Sequence, residues 1–240
     1  MKKTLFLSIA FLLLVLGACA NNDNPEPTID EEPDETVETT ELDWDMMGDW
    51  FDEHKDFLNN QPTLGDKDAP ITMLVFADYK CPYCAQWDAE VLPDLEKGLV
   101  ETGEVQIKFI NFPFLGPDSI TAAYAGESIY HQNEEAFWEY SQLVYENRNE
   151  EEEQWATKEF ILDLVQDVDG IDLELLEEDI DEETYKDNVE EDRLFAMQSQ
   201  INATPSIIMN GYTFENAFDT NIIFGFVHDF YEGYEENEAS

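Results

Sequence analysis

The stretch ITMLVFADYKCPYCAQW, residues 71 to 87, constrains this chain more than any other. Six of its first seven residues are apolar, a pattern that suits a strand buried on both faces. Such a strand needs packed layers above and below it. Further on, Cys84, Trp87, Val91, Leu95 and Leu99 recur at three- and four-residue spacing, the signature of a helix face. Cys81 therefore sits where a strand hands over to a helix. Gly103 closes that helix, and VQIKFINF, Val105 to Phe112, alternates like a second strand. Strand, helix, strand in this order predicts a parallel pair joined by a right-handed crossover.

On either side, the organisation is readable. WDMMGDWFDEHKDFL, Trp44 to Leu58, reads as an amphipathic lead-in helix. From about Asp118 to Gln200 the apolar positions keep helical spacing, and acidic clusters and Gly170 divide the section into several helices. TPSIIMNGYTFEN, Thr204 to Asn216, returns to strand character around an Asn210-Gly211 turn, a strong hairpin signal. A last helix, about Ala217 to Tyr231, covers the sheet. DVDGID, Asp167 to Asp172, has the look of a calcium loop, but aligning Gly170 with the EF-hand glycine puts Val165 and Leu176 at ligand positions one and twelve. Neither offers a side-chain oxygen, so the segment reads as a helix break with Asp172 capping the next helix.

The chain opens MKKTLFLSIAFLLLVLGACA, with Lys2 and Lys3 ahead of an apolar run from Leu5 to Leu16. This reads as an export signal. The run is shorter than the roughly 20 residues that cross a bilayer. Residues 20 to 41 hold nine acids, three prolines and no base, a composition that reads as an extended, self-repelling tether. The formal net charge of −46, from 57 acids against 11 bases, argues against nucleic-acid backbones and anionic lipid surfaces as partners, since both would be repelled. A surface adapted to high salt and a merely acidic exported protein are the two readings of that excess.

Export decides how the cysteines are weighed, because disulfides persist outside the cytosol. Zinc needs a fourth ligand, yet the chain has only three cysteines, and His54, His131 and His228 form no ligand-spaced cluster. A structural Cys81–Cys84 disulfide would close a loop of two intervening residues and remove little unfolded-state entropy. A redox pair fits better. At a helix start, free backbone N–H groups and the helix dipole stabilise a thiolate on Cys81, with Cys84 one turn inside as resolving partner. Pro82 suits the first turn, where its missing N–H would be unbonded anyway.

FADYKCPYC resembles the active-site segment of the DsbA-like thiol–disulfide oxidoreductases, particularly the membrane-tethered forms of Gram-positive bacteria, and TPSIIMNG resembles their cis-proline strand. The likeness covers about residues 60 to 232 and implies an α/β fold, a thioredoxin-like core with an inserted helical subdomain. The 121 positions between Cys84 and Pro205 leave room for that insert. The resemblance implies Cys81 and Cys84 as the catalytic pair, Pro82 and Tyr83 as the dipeptide between them, and Thr204 and Pro205 as a cis-proline loop whose backbone pairs with substrate. Leu16-Gly17-Ala18-Cys19 resembles a bacterial lipobox, which makes Cys19 the lipid-bearing first mature residue. Two departures stand out. Where many relatives carry a carboxylate six residues before the first cysteine, this chain has Val75, and where they often have glycine before the Thr-Pro it has Ala203. Asp78 lies closer to the pair; it reads either as a solvated loop carboxylate or as a charge that raises the Cys81 thiol pKa. Tyr83 faces substrate or packs on a neighbouring loop; Trp87 reads as packing beneath the site.

The domain plan that follows is a lipoprotein signal peptide at 1–18, an acidic tether at 19–43, the first part of the core at 44–117, the helical insert at 118–200, the second part at 201–232 and an acidic tail at 233–240. The implied activity is donation of disulfides to reduced exported proteins from the extracytoplasmic side of a membrane, with recharging by a DsbB-like membrane quinone reductase and no bound cofactor or metal. A reductase or isomerase uses the same residues with reversed electron flow. A non-catalytic binding or chaperone domain with an inert disulfide is the remaining alternative.

Overall fold

The computed structural model describes residues 42–149 and 154–238. The signal, Cys19 and most of the tether lie outside them. The first helix, α1 (Trp44–Leu58), is capped by Asp43, whose side chain accepts from the Met46 N–H. A two-residue strand β1 (Thr63–Leu64) follows, then β2 (Ile71–Ala77), every residue of which is buried. The helix after the cysteines is α2 (Pro82–Glu90), and β3 (Val105–Asn111) runs parallel to β2 with Ile71 opposite Val105. The expected continuous helix between them is broken: α2 stops at Glu90, α3 (Leu92–Leu95) restarts, and a π-helical turn spans Glu96–Val100. Pro93 is the reason, since it supplies no N–H and its ring clashes with the carbonyl four residues back.

Among the described residues, five further helices make up the insert: α4 (Pro117–Gln132), α5 (Glu134–Glu146), α6 (Lys158–Leu164), α7 (Leu173–Asp181) and α8 (Lys186–Gln198). Asp172 caps α7, accepting from the Glu174 and Leu175 N–H groups. The chain then returns through β4 (Ser206–Met209) and β5 (Tyr212–Phe214), joined by a tight turn in which Asn210 and Gly211 both have positive φ, at 45° and 88°. That is the backbone a two-residue hairpin requires. The closing helix α9 (Thr220–Glu238) runs well past Tyr231, through most of the segment assigned above to an acidic tail.

The sheet order is β1-β3-β2-β4-β5, with β2 central and β4 antiparallel to it. Alternate residues of β2 serve opposite faces. Ile71, Met73 and Val75 pack with Trp87, Leu95, Ile223 and Val227 from the side of α2, α3 and α9. Leu74 and Phe76 pack with Leu58, Phe195 and Ala196 from α1 and α8. A third cluster belongs to the insert, built on Ile129, Phe137, Tyr140, Val144 and Ile161, and it takes in Cys81, Cys84 and Phe109. The cysteine pair thus lies on the seam between core and insert. The architecture is a thioredoxin-like α/β core with an inserted helical subdomain.

Candidate active site

Cys81 is the N-cap residue of α2, in extended conformation, with Pro82 at the first helical position. Cys81 and Cys84 are free thiols, 5% and 1% exposed. The difference decides which one meets a partner: Cys84 is sealed, whereas Tyr83 between them is 62% exposed and faces out. The Thr204–Pro205 peptide is cis, and the Thr204 carbonyl lies 3.3 Å from the Cys81 sulfur, accepting from its thiol. Trp87 is buried among core residues and donates its indole N–H to the Ala217 carbonyl at 2.9 Å, fixing α2 to the chain ahead of α9.

The two sulfurs are driven apart in acidity. The Cys81 pKa is lowered from 9.0 to about 6, and a hydrogen bond from the Cys84 thiol is the largest cause. Burial opposes it, while the Thr204 hydroxyl and the backbone N–H groups of Cys84 and Tyr83 add to the lowering. Burial pushes Cys84 well above its ordinary value, and the neighbouring Cys81 sulfur pushes the same way. Near neutral pH the reduced pair is therefore one thiolate and one thiol, with the charge on the sulfur nearer the surface.

Asp78 corrects both readings drawn from the sequence. It is 1% exposed, so it is no solvated loop carboxylate. Its oxygens accept from the Lys80 N–H at 2.8 Å, the Ser119 hydroxyl at 2.7 Å, and the Phe114 and Leu115 N–H groups at 2.8 and 3.0 Å. Turned into the protein and saturated with donors, it is not among the groups that shift Cys81. It clamps the loop before the cysteines to the one after β3, where Phe114 and Leu115 stand exposed. Two further ties bind the same loop to the insert. Lys80 pairs with Asp118 at 2.7 Å, and Arg148 donates to the Lys80 carbonyl at 3.0 Å.

Sequence reasoning missed two features. Asp88, one turn beyond Cys84 on α2, lines a small cavity with Cys84, Val75, Ser141 and Tyr145. Its i+4 spacing from the resolving cysteine was a signal open to reading. The second is a buried polar cluster: Asp192 accepts from the Asn111 N–H at 2.8 Å and from Gln61 at 3.0 Å, and the Asn111 amide bridges Asp192 to Glu127. Burial raises both acids, Asp192 to about 7 and Glu127 well above 4.5, with each carboxylate next to the other. His228, Asp229 and Glu232 form a second, partly exposed grouping on α9.

Residues 58–227 match the family described as Thioredoxin. The probable disulfide bond formation protein D of Bacillus anthracis is 37% identical over 163 residues, covering 68% of this chain and 75% of the relative. The Bacillus subtilis disulfide bond formation protein D is 33% identical over 162 residues, covering 68% and 73%. Among solved structures, oxidised BdbD from Bacillus subtilis superposes with a TM-score of 0.68 at 32% identity, covering 71% of this chain and 92% of that one. DsbA from Chlamydia trachomatis gives 0.66 at 25% identity, covering 72% and 92%.

Two outcomes follow from these acidities. In the reduced protein, alkylation of Cys81 by iodoacetamide rises to half its plateau near pH 6, while Cys84 stays unmodified until the chain is denatured; the labelled sites are read by mass spectrometry. Glu127→Gln behaves as a stabilising change at high pH. The folded-state pKa of Glu127 is raised, so its cost is absent below the unfolded value of 4.5 and grows above it. The growth is roughly 1.4 kcal/mol per pH unit until the folded value is reached. Urea unfolding should show the variant ahead of wild type at about pH 8 and level with it at about pH 4.5.

Proposed function

Because this chain belongs to the DsbA-like thiol–disulfide oxidoreductases of the thioredoxin superfamily, and exchanges disulfides through Cys81 and Cys84, we propose that its physiological direction is donation. The observation that carries this is the Cys81 thiol lowered to about 6. A thiolate held by the folded protein stabilises the reduced form, which makes the disulfide a stronger oxidant.

A substrate thiolate attacks the Cys81 sulfur, the Cys81–Cys84 bond breaks, and its electron pair goes to Cys84. A second substrate thiolate then attacks the substrate sulfur of the mixed disulfide and expels Cys81 as a thiolate. The substrate has lost two electrons and the protein carries two reduced cysteines. Cys81 leaves readily because its charge is already provided for. Exposed Tyr83, Phe114 and Leu115, the last two held by Asp78, offer apolar contact to an unfolded exported chain. Thr204 and Pro205 supply the backbone beside the disulfide. Regeneration requires an electron acceptor, and a DsbB-like membrane quinone reductase is the partner we assign.

The site of action is extracytoplasmic, with a lipid anchor on Cys19. Among the described residues no helix is long and apolar enough to cross a membrane. We divide the chain as signal 1–18, tether 19–43, core 44–117 and 201–232, and insert 118–200. The acid excess we read as adaptation to high salt.

The test is oxidation of a reduced, unfolded protein by the pre-oxidised domain, following free thiols, at about 0.1 M and about 2 M salt. Wild type should consume substrate thiols, at least as fast in the concentrated salt. Cys81→Ser should be inactive, and Cys84→Ala, charged with a small mixed disulfide, should form a substrate-linked adduct that a second substrate thiol, but not the protein itself, can release. Full activity in Cys81→Ser would leave only an inert domain. Failure of the oxidised domain to consume substrate thiols, together with net reduction of disulfide substrates by the reduced domain, would reverse the assigned direction, and collapse of the rate at high salt would remove the salt reading.

A further inference from the structure

Cys84 is 1% exposed, and each time it leaves or attacks it must gain or lose a proton in a closed place. Beside it lies a cavity of about 10 Å³, on the order of one water molecule. Three titratable side chains line it: Cys84, Asp88 and Tyr145. Tyr145 is buried with a hydroxyl that finds no protein hydrogen bond, and burial holds its proton far above the working range. Its hydroxyl feels the charges of both Cys84 and Asp88, which places it close to the two of them. Trp138, also on the wall, has an indole N–H without a protein partner. Val75, reaching the same cavity from β2, has no proton to exchange.

We propose that Asp88 is the proton donor and acceptor of the Cys84 sulfur, acting across this cavity directly or through one water. The proposal rests on disulfide exchange through the cysteine pair. Asp88 is half-buried, so one side meets the cavity while the other reaches solvent, from which the proton is replaced. Its pKa is raised from 3.8 to about 6, chiefly by burial and also by repulsion from Glu146 of α5 and Glu96 of the π-helical turn. No cation among the groups that shift it offsets them. Besides these two carboxylates, Cys84 on its own helix and the buried phenols of Tyr79 and Tyr145 face it. A carboxyl that titrates near working pH can both give and take a proton.

In the oxidising half-reaction, the substrate thiolate bonds to Cys81, the Cys81–Cys84 bond breaks, and the electron pair stays on Cys84. The proton on Asp88 moves to that sulfur and leaves a carboxylate, which reprotonates from water. In the reverse direction Cys84 loses its proton to the Asp88 carboxylate as it attacks Cys81, and the substrate sulfur departs as a thiolate. Charge is conserved in both directions, and the buried sulfur never carries a free negative charge for long.

The test follows the oxidised protein reacting with excess reduced glutathione between about pH 4.5 and about pH 8, with rates divided by glutathione thiolate concentration. Neither cysteine of the oxidised form has a proton to lose, so an inflection belongs to another group. Wild type should fall about tenfold or more as pH rises through about 6. Asp88→Asn should be pH-independent at the low level, and Asp88→Glu should keep the inflection. A role in packing alone would scale the rate without moving the profile. A flat wild-type profile overturns the proposal without recourse to any variant, as does an Asp88→Asn profile that superimposes on wild type; in both cases exchange through the pair still stands. If wild type does not exchange at all, the proposal and the activity it rests on fall together.

Discussion

In a chain of net charge −46, a sulfur that ionises near pH 6 has to be stabilised mainly by neutral donors. The Cys84 thiol, the Thr204 hydroxyl and the first N–H groups of α2 perform this work, and each is supplied by a different constraint of the fold. The helix start serves the sulfur because Cys81 is its N-cap, which sets the first N–H groups of α2 beside it. Cys84 is near because it lies one turn in. Thr204 is near because β4 pairs antiparallel with β2, with Ser206 opposite Phe76, so the start of β4 arrives beside the end of β2. Lys80, next to the pair in sequence, is paired with Asp118 of the insert. Removing the pairing of β2 and β4 would therefore cost the thiolate the part of its support that Thr204 supplies, without touching either cysteine.

The insert is part of the site rather than an ornament on the core. Its apolar cluster includes both sulfurs and Phe109 of β3, so the seam between subdomains passes through the reacting atoms. Asp78, Lys80 and the Lys80 carbonyl each reach across to or beside the insert, through Ser119, Asp118 and Arg148. These bonds hold the loop that enters α2, and with it the direction in which the Cys81 sulfur faces. Placing the resolving cysteine under that cover keeps solvent away from it and makes a local proton partner necessary.

What the sequence revealed and what it hid divide by range. The buried strand β2, the parallel pairing with β3, the Asn210-Gly211 turn and Cys81 at a helix start rest on neighbouring residues, so pattern and turn chemistry make them legible. The break at Pro93 was equally local and was overridden by an apolar rhythm that continued through it. By contrast, β1 is two residues long and has no pattern of its own. The burial of Asp78 depends on partners 36 to 41 positions away, and the Asp192 cluster joins residues separated by 16, 81 and 131 positions. An isolated acid in an acidic chain looks solvated until the fold brings its donors. Motif resemblance identified the pair, the cis-proline loop and the insert, but not what supports them.

The most direct measurement is the reduction potential of the Cys81–Cys84 pair in the soluble domain, obtained by equilibration with glutathione buffers and trapping of free thiols. Stabilisation of the reduced form by the Cys81 thiolate places the value toward the oxidising end, near about −120 mV. A value near about −270 mV would mean that the thiolate does not control the balance and that the pair passes electrons in the opposite direction.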